Sequence, residues 1–178
     1  MDRDELFNPY LPERYYHIEK EFNGIGYKAV GWLNFNQRQF NSSAIKKHKF
    51  HLISHAVCLK NRSHVSPSYD CECGFYALKS LELATSYIKY KRNLVLVEVS
   101  IYGKFIEHEM GYRYQEQEIR KIILPDICSK RGCENNSIYL INSLSSVKTR
   151  CFSHKGSKSA YRISDVDNIA VGLHAYKI

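Results

Sequence analysis

The most regular stretch of the chain alternates in steps of two: Val95, Val97, Val99 and Ile101 fall on one side, Glu98, Ser100 and Tyr102 on the other. That period puts successive side chains on opposite faces of a β-strand, one toward a core and one toward water. Gly103 interrupts the pattern, as at a bulge or sharp bend, and Phe105 to His108 resumes it. Tyr112 to Leu124 reads as the return strand, closed by Pro125, which has no amide to extend a ladder. Two further β-like runs stand upstream, Tyr27 to Leu33 after the pair Gly24 and Gly26, and Phe50 to Leu59. One segment changes period. Leu81, Ala84 and Ile88 recur at helical spacing, with Leu83 and Tyr87 beside them, and Ser80 stands where an N-cap belongs. Lys89, Lys91 and Arg92 follow in what reads as the last turn, where cations meet the negative end of the helix dipole.

Between these elements the pattern breaks. Residues 34–48 are rich in Asn, Gln and Ser, and residues 61–70 carry Pro67 with several serines, so both read as loops. Residues 1–24 contain Pro9 and Pro12 among aromatic side chains and read as an N-terminal arm that docks on a core. The expected organisation is this arm, a β-rich core domain over 25–142, and a Ser/Lys-rich, mobile segment from 143 leading to an apolar C-terminal element that docks back by residue 178. The expected fold class is α+β: a small β-rich, barrel-like domain with one main helix and a zinc-stapled loop region.

Composition sharpens this picture. A chain of 178 residues, 44% of them hydrophobic, has material for a real core and is unlike a disordered chain. No apolar run approaches the roughly 20 residues needed to cross a bilayer, and the charged, aromatic N-terminal stretch lacks the apolar middle of a secretory signal. A cytoplasmic protein with no membrane partner is therefore expected. The charge is +8, from 26 Lys and Arg against 18 Asp and Glu, and it clusters at Lys46 to Lys49, at Lys89 to Arg92 and from Lys148 to Lys158. With 14 tyrosines, such a chain has cations for phosphates and rings for bases, the two needs of a nucleic-acid or nucleotide binder. The alternative is a solvated basic face that keeps the protein soluble.

The six cysteines are Cys58, Cys71, Cys73, Cys128, Cys133 and Cys151. In a reducing compartment metal binding is a better reading than disulfides. Cys71-Glu-Cys73 and Cys128-x4-Cys133 form two close pairs, and a tetrahedral zinc site is commonly assembled from two such pairs, each in a tight turn. The expectation is one structural zinc ion on Cys71, Cys73, Cys128 and Cys133, with His64 as a reserve ligand. A nucleophilic role for Cys73, just before Gly74, lacks an ordered His and Asn partner and is the weaker reading.

Two segments carry a resemblance. Asp70-Cys-Glu-Cys-Gly-Phe-Tyr-Ala77, followed by Val97-x-Val-x-Ile-Tyr-Gly-Lys-Phe-Ile-Glu-His-Glu-x-Gly-Tyr-Arg113, resembles a family of bacterial proteins marked by C-x-C-G-[IF]-Y-A and W-G-x-V-x-E-H-x-x-G-Y-R-A. Gly31-Trp32 and the Cys128 to Cys133 pair fit the same pattern, so the likeness covers roughly residues 25–135. Tyr102 stands where that family carries Trp, and Tyr114 where it carries a small residue. The resemblance implies no particular activity.

Three functions are open on these residues. In a binding module for nucleic acid or a modified nucleotide, Trp32, Tyr76, Tyr102 and Tyr112 would stack on bases, while Arg113 takes a phosphate and His108 donates beside it. In the second, Gly74 to Ala77, Leu81, Tyr87 and the Val95–Val99 run resemble the middle of an NAD-dependent ADP-ribosyltransferase fold. Glu116 and Glu118 of Gln115-Glu-Gln-Glu118 would then be the catalytic carboxylates that stabilise a ribosyl cation. In the third, the chain is a zinc-stabilised protein-interaction domain with no small ligand.

Overall fold

Strand-forming alternation dominates the computed structural model, which describes residues 16–18, 23–34, 39–42, 49–60, 63–88, 94–143, 146–156, 160–165 and 174–177. In chain order its elements are β1 (Tyr16–Ile18), β2 (Gly24–Asn34), β3 (Gln39–Ser42), β4 (Lys49–His51), β5 (Ile53–His55), β6 (Phe75–Leu78), α1 (Leu81–Ile88), β7 (Val95–Glu107), β8 (Gly111–Leu124), β9 (Tyr139–Ser143), β10 (Ser146–Arg150), β11 (Tyr161–Arg162) and β12 (His174–Lys177). The protein is thus α+β and β-rich, with one α-helix among the described residues. None of its described helices is long and apolar enough to cross a membrane.

The chain visits two compact units alternately. One comprises Met1–Lys28, Ile53–Tyr87 and Val99–Glu118; the other comprises Ala29–Leu52, Ile88–Glu98 and Ile119–Ile178. In the first unit β8 is flanked by β7 and β6, with Phe75 opposite Tyr114 and Leu78 opposite Gly111. β5 also pairs with β8, Ile53 opposite Glu118 and His55 opposite Glu116, and β1 pairs with the far end of β7. Val99, Ile101, Phe105, Ile106, Phe75, Ala77 and Tyr114 are all buried. Each of the Val, Ile and Phe side chains among them contributes about 1.5–3 kcal/mol when removed from water.

Helix α1 begins where expected: the Ser80 hydroxyl accepts the Leu83 amide at 3.2 Å, and Ala84 is fully buried on the apolar stripe. The basic residues Lys89, Lys91 and Arg92 lie outside the described residues, as does most of the 1–24 arm.

This core contains a polar knot. Lys28 is buried, its Nζ donating to Gln117 Oε1 at 2.8 Å and lying 4.7 Å from the Phe75 ring centre and 5.6 Å from that of Tyr114. The Tyr114 hydroxyl donates to the same Gln117 oxygen at 2.9 Å. Burial pulls the Lys28 amine down to about 7, because a cation in an apolar interior loses its hydration. Tyr114 supplies one of the two rings that face this amine.

In the second unit β2 pairs with β3 across an irregularity between Val30 and Trp32, and β3 pairs with β4. The Asn/Gln-rich 34–48 stretch, expected as loop, therefore contains a strand; β-pairing with β2 overrides its weak intrinsic preference. β12 runs parallel to the end of β8, His174 opposite Lys121. A separate three-stranded sheet runs β10-β9-β11. The Ser/Lys-rich segment from 143, expected to be mobile, forms β10, paired with β9 from Ser146 opposite Ser143 to Arg150 opposite Tyr139. β7 also differs from its simple alternation. Leu96 is as buried as Val95 and Val97, and Glu98, only 9% exposed, meets Lys121 at 3.1 Å. The start of this strand is covered on both faces, so one-sided polarity in the sequence concealed it.

Candidate metal centres

Each unit gathers three cysteines and a histidine at one point. In the first unit these are Cys58, His64, Cys71 and Cys73; in the second, Cys128, Cys133, Cys151 and His154. Within each group all ligand atoms lie within 4.8 Å of one another. Cys58 Sγ and Cys71 Sγ are 3.6 Å apart, and His64 Nε2 is 3.2 Å from Cys73 Sγ. In the second group Cys133 Sγ and Cys151 Sγ are 3.8 Å apart, with His154 Nδ1 3.3 Å from Cys151 Sγ and 3.7 Å from Cys128 Sγ. All six cysteines are free. Sulfurs joined in a disulfide sit about 2.05 Å apart. Thiolates bound at about 2.3 Å to one tetrahedral ion sit about 3.8 Å apart. Both groups match the second geometry.

Local structure explains why the ligands converge. Cys71 lies in a turn closed by its amide on the Ser68 carbonyl at 3.3 Å. The chain leaves through Gly74 at φ +121°, where an added Cβ would come within 2.8 Å of Arg113 Cγ; only glycine meets both demands. Cys58 reaches the site from the segment after β5, where the Ala56 amide donates to the Gln115 carbonyl at 2.7 Å. In the second unit the Cys133 amide closes on the Lys130 carbonyl at 3.0 Å, and Gly132 takes φ +73° inside that turn. Ser129 ties this turn to the end of β10, its amide donating to the Thr149 carbonyl at 2.9 Å. β10 thus delivers Cys151, and the 3-10 turn Phe152–His154 delivers His154. Burial disfavours the Cys128 thiolate, but the backbone amides of Cys151 and Lys130 and the His154 ring outweigh it and bring the thiol down to about 6. At neutral pH Cys128 is then in its ligating form.

The expected single site is corrected on two counts. Cys71 and Cys73 belong to one group and Cys128 and Cys133 to another, so each close pair is completed by its own Cys–His partners. His64 is a full member of the first group rather than a reserve. Cys58, Cys151 and His154 were not anticipated, although Cys151-x2-His154 is a recognisable ligand spacing. Cys73 faces His64 within its group.

Arg113 is placed differently from a phosphate contact. Its guanidinium is buried, only 6% exposed, and donates through Nη1 to the Cys71 carbonyl and through Nη2 to the Ser68 carbonyl at 3.0 Å. It braces the first ligand turn. Tyr76, opposite Arg113 in the β6–β8 register, is half-buried and donates its hydroxyl to the Glu72 carbonyl at 2.6 Å. His108 is half-buried at the β7–β8 turn; burial, then Arg113 and Lys79, lower its pKa, so its ring is neutral near pH 7. Tyr112 packs edge-on against Phe105 at 6.3 Å under the Lys79 amine. All four lie in the first unit. Tyr102 donates to Glu118 Oε2 at 3.2 Å. Glu116 pairs with His55 at 3.2 Å. Trp32 lies on β2 opposite Asn41, in the second unit.

Comparison with known proteins finds no matching family model, no similar curated protein and no similar solved structure.

Proposed function

We propose that this protein is a cytoplasmic binding module organised by two structural zinc ions, and that the surface they hold takes nucleic acid or a nucleotide. The observation that carries the metal half is the pair of preassembled Cys3His groups, with thiols 3.6 and 3.8 Å apart and unbonded. Three soft thiolates with one imidazole suit zinc, and four protein ligands leave no open position for substrate, which favours a structural ion. Because such a site forms only in the folded chain, its binding free energy is also folding free energy. The nucleic-acid half rests on the +8 charge and the aromatic content. The likeness of residues 70–77 and 97–113 to the bacterial family fits this reading, since its C-x-C element supplies two first-centre ligands. Titration of a labelled oligonucleotide at increasing salt tests the binding half. Affinity is expected to fall steeply as condensed counterions are released; absence of binding at low salt contradicts it.

A further inference from the structure

Among the described residues from Asp126 to Asp165, six are Lys or Arg (Lys130, Arg131, Lys148, Arg150, Lys155, Arg162) and three are acidic (Asp126, Glu134, Asp165). None of these six enters an ion pair with a carboxylate among the described residues, whereas in the first unit Lys60 pairs with Glu72 and Lys79 with Glu107. Lys130 and Arg131 form the tip of the turn between two second-centre ligands, and Lys148 lies on the strand that delivers a third; all three are exposed.

Beside these cations stands an exposed ring. Phe152 is 66% exposed and is the first of the two residues between Cys151 and His154. A bound ion would fix the chain on both sides of it, so the ring is held outward by ligation. Lys155 Nζ lies over one face of the Phe152 ring, 5.0 Å from its centre, and 5.1 Å from the centre of Tyr139, which puts a cation at the edge of the exposed ring's surroundings. Ile127, 55% exposed, and Ile138, 44% exposed, extend the apolar part of this unit's surface.

Cations with no carboxylate partner among the described residues, in the same unit as an exposed aromatic ring, are what a single strand needs: phosphates track the charge and a splayed base stacks on the ring. A duplex hides its base faces and could use only the charge. We infer that the second Cys3His centre displays a single-stranded nucleic-acid site, with Phe152 as the stacking platform and Lys130, Arg131, Lys148 and Lys155 as phosphate contacts. This inference rests on the nucleic-acid reading above and adds the place and the kind of strand.

The test is fluorescence anisotropy of zinc-loaded protein with labelled 12-mer oligothymidylate and with the same strand annealed to oligoadenylate. Wild type is expected to prefer the single strand. Phe152→Ala should weaken single-strand binding by about tenfold or more, the loss expected for one stacked base, while keeping the salt slope. The double variant Lys130→Gln/Lys148→Gln should reduce the slope of log affinity against log salt by about 1.4, for two lost phosphate contacts at about 0.7 each. None of these residues is a ligand, so metal content measured on the same samples should match wild type. Salt-dependent wild-type binding that Phe152→Ala leaves unchanged, or equal affinity for duplex, overturns the inference and leaves the broader reading standing. No binding of either probe overturns both.

Discussion

Replacing Arg113 by Met separates bracing from ligand binding. The side chain is buried and its two terminal nitrogens serve the Cys71 and Ser68 carbonyls. Hydrogen bonds from a charged donor contribute about 1.5–3 kcal/mol each, so losing two costs roughly 3–6 kcal/mol. Methionine fills much of the same volume and removes a buried cation that was itself expensive to desolvate, which offsets part of this loss. The net destabilisation is expected near about 2–4 kcal/mol. The loosened turn carries Cys71, so the first centre should surrender its ion to a chelator at least about tenfold faster while the second is unaffected, since a 1.4 kcal/mol change is tenfold. Denaturant unfolding in excess zinc measures the first quantity. Timed alkylation of cysteines under chelation, read by mass spectrometry, measures the second, with Cys71 and Cys73 reacting early and Cys128 and Cys133 at the wild-type rate. A variant within about 0.5 kcal/mol of wild type that keeps its metal and loses oligonucleotide affinity refutes this reasoning. Arg113 would then be the phosphate contact that its sequence context implied.

Three further outcomes follow from the geometry. Lys28 has a pKa near 7 when folded against an ordinary 10.5, so between those values the unfolded chain holds a proton that the folded one has lost. The burial cost is complete below about pH 7 and is relieved as pH rises to about 10.5, by up to about 5 kcal/mol; Lys28→Met should remove that slope, and parallel stability–pH profiles for the two proteins would contradict it. Cys151→Ala should reduce bound zinc from two ions toward one, and the retained ion should protect Cys58, Cys71 and Cys73 from alkylation, since those ligands lie in the other group. Ser80→Ala should cost about 1 kcal/mol by thermal denaturation, because the Leu83 amide loses its cap, and an unchanged melting temperature would show that water replaces the hydroxyl without loss.

Much of the framework is local and could be read from local pattern. The β7–β8 pair and the Ser80-capped helix depend on alternation, on a cap and on Pro125, all carried by near neighbours in sequence. The two close cysteine pairs were equally visible, since tight turns bring residues two to five apart together. Their separation into two groups was not recoverable in this way. Which pair shares a metal with which partner depends on β10 returning to the Ser129 turn and on the segment after β5 reaching Cys71, and long gaps carry no spacing signal. The surroundings of Arg113 were hidden for a related reason. In sequence it stands near Glu107, His108 and Glu109, as at a charged surface corner, but the β6–β8 register turns it inward beneath Ser68 and Cys71. Likewise the Ser/Lys composition of 143–158 reads as loop, and only pairing with β9 makes part of it a strand followed by two candidate ligands, Cys151 and His154.

The central claim is two Cys3His centres in one chain, and zinc stoichiometry tests it most directly. Untagged protein, purified without chelator, should be measured by native mass spectrometry alongside elemental analysis. Two zinc ions per chain are expected, with about eight ligand groups engaged and all six cysteines protected from alkylation until chelator is added. One ion per chain, or a folded chain carrying none, would contradict the account.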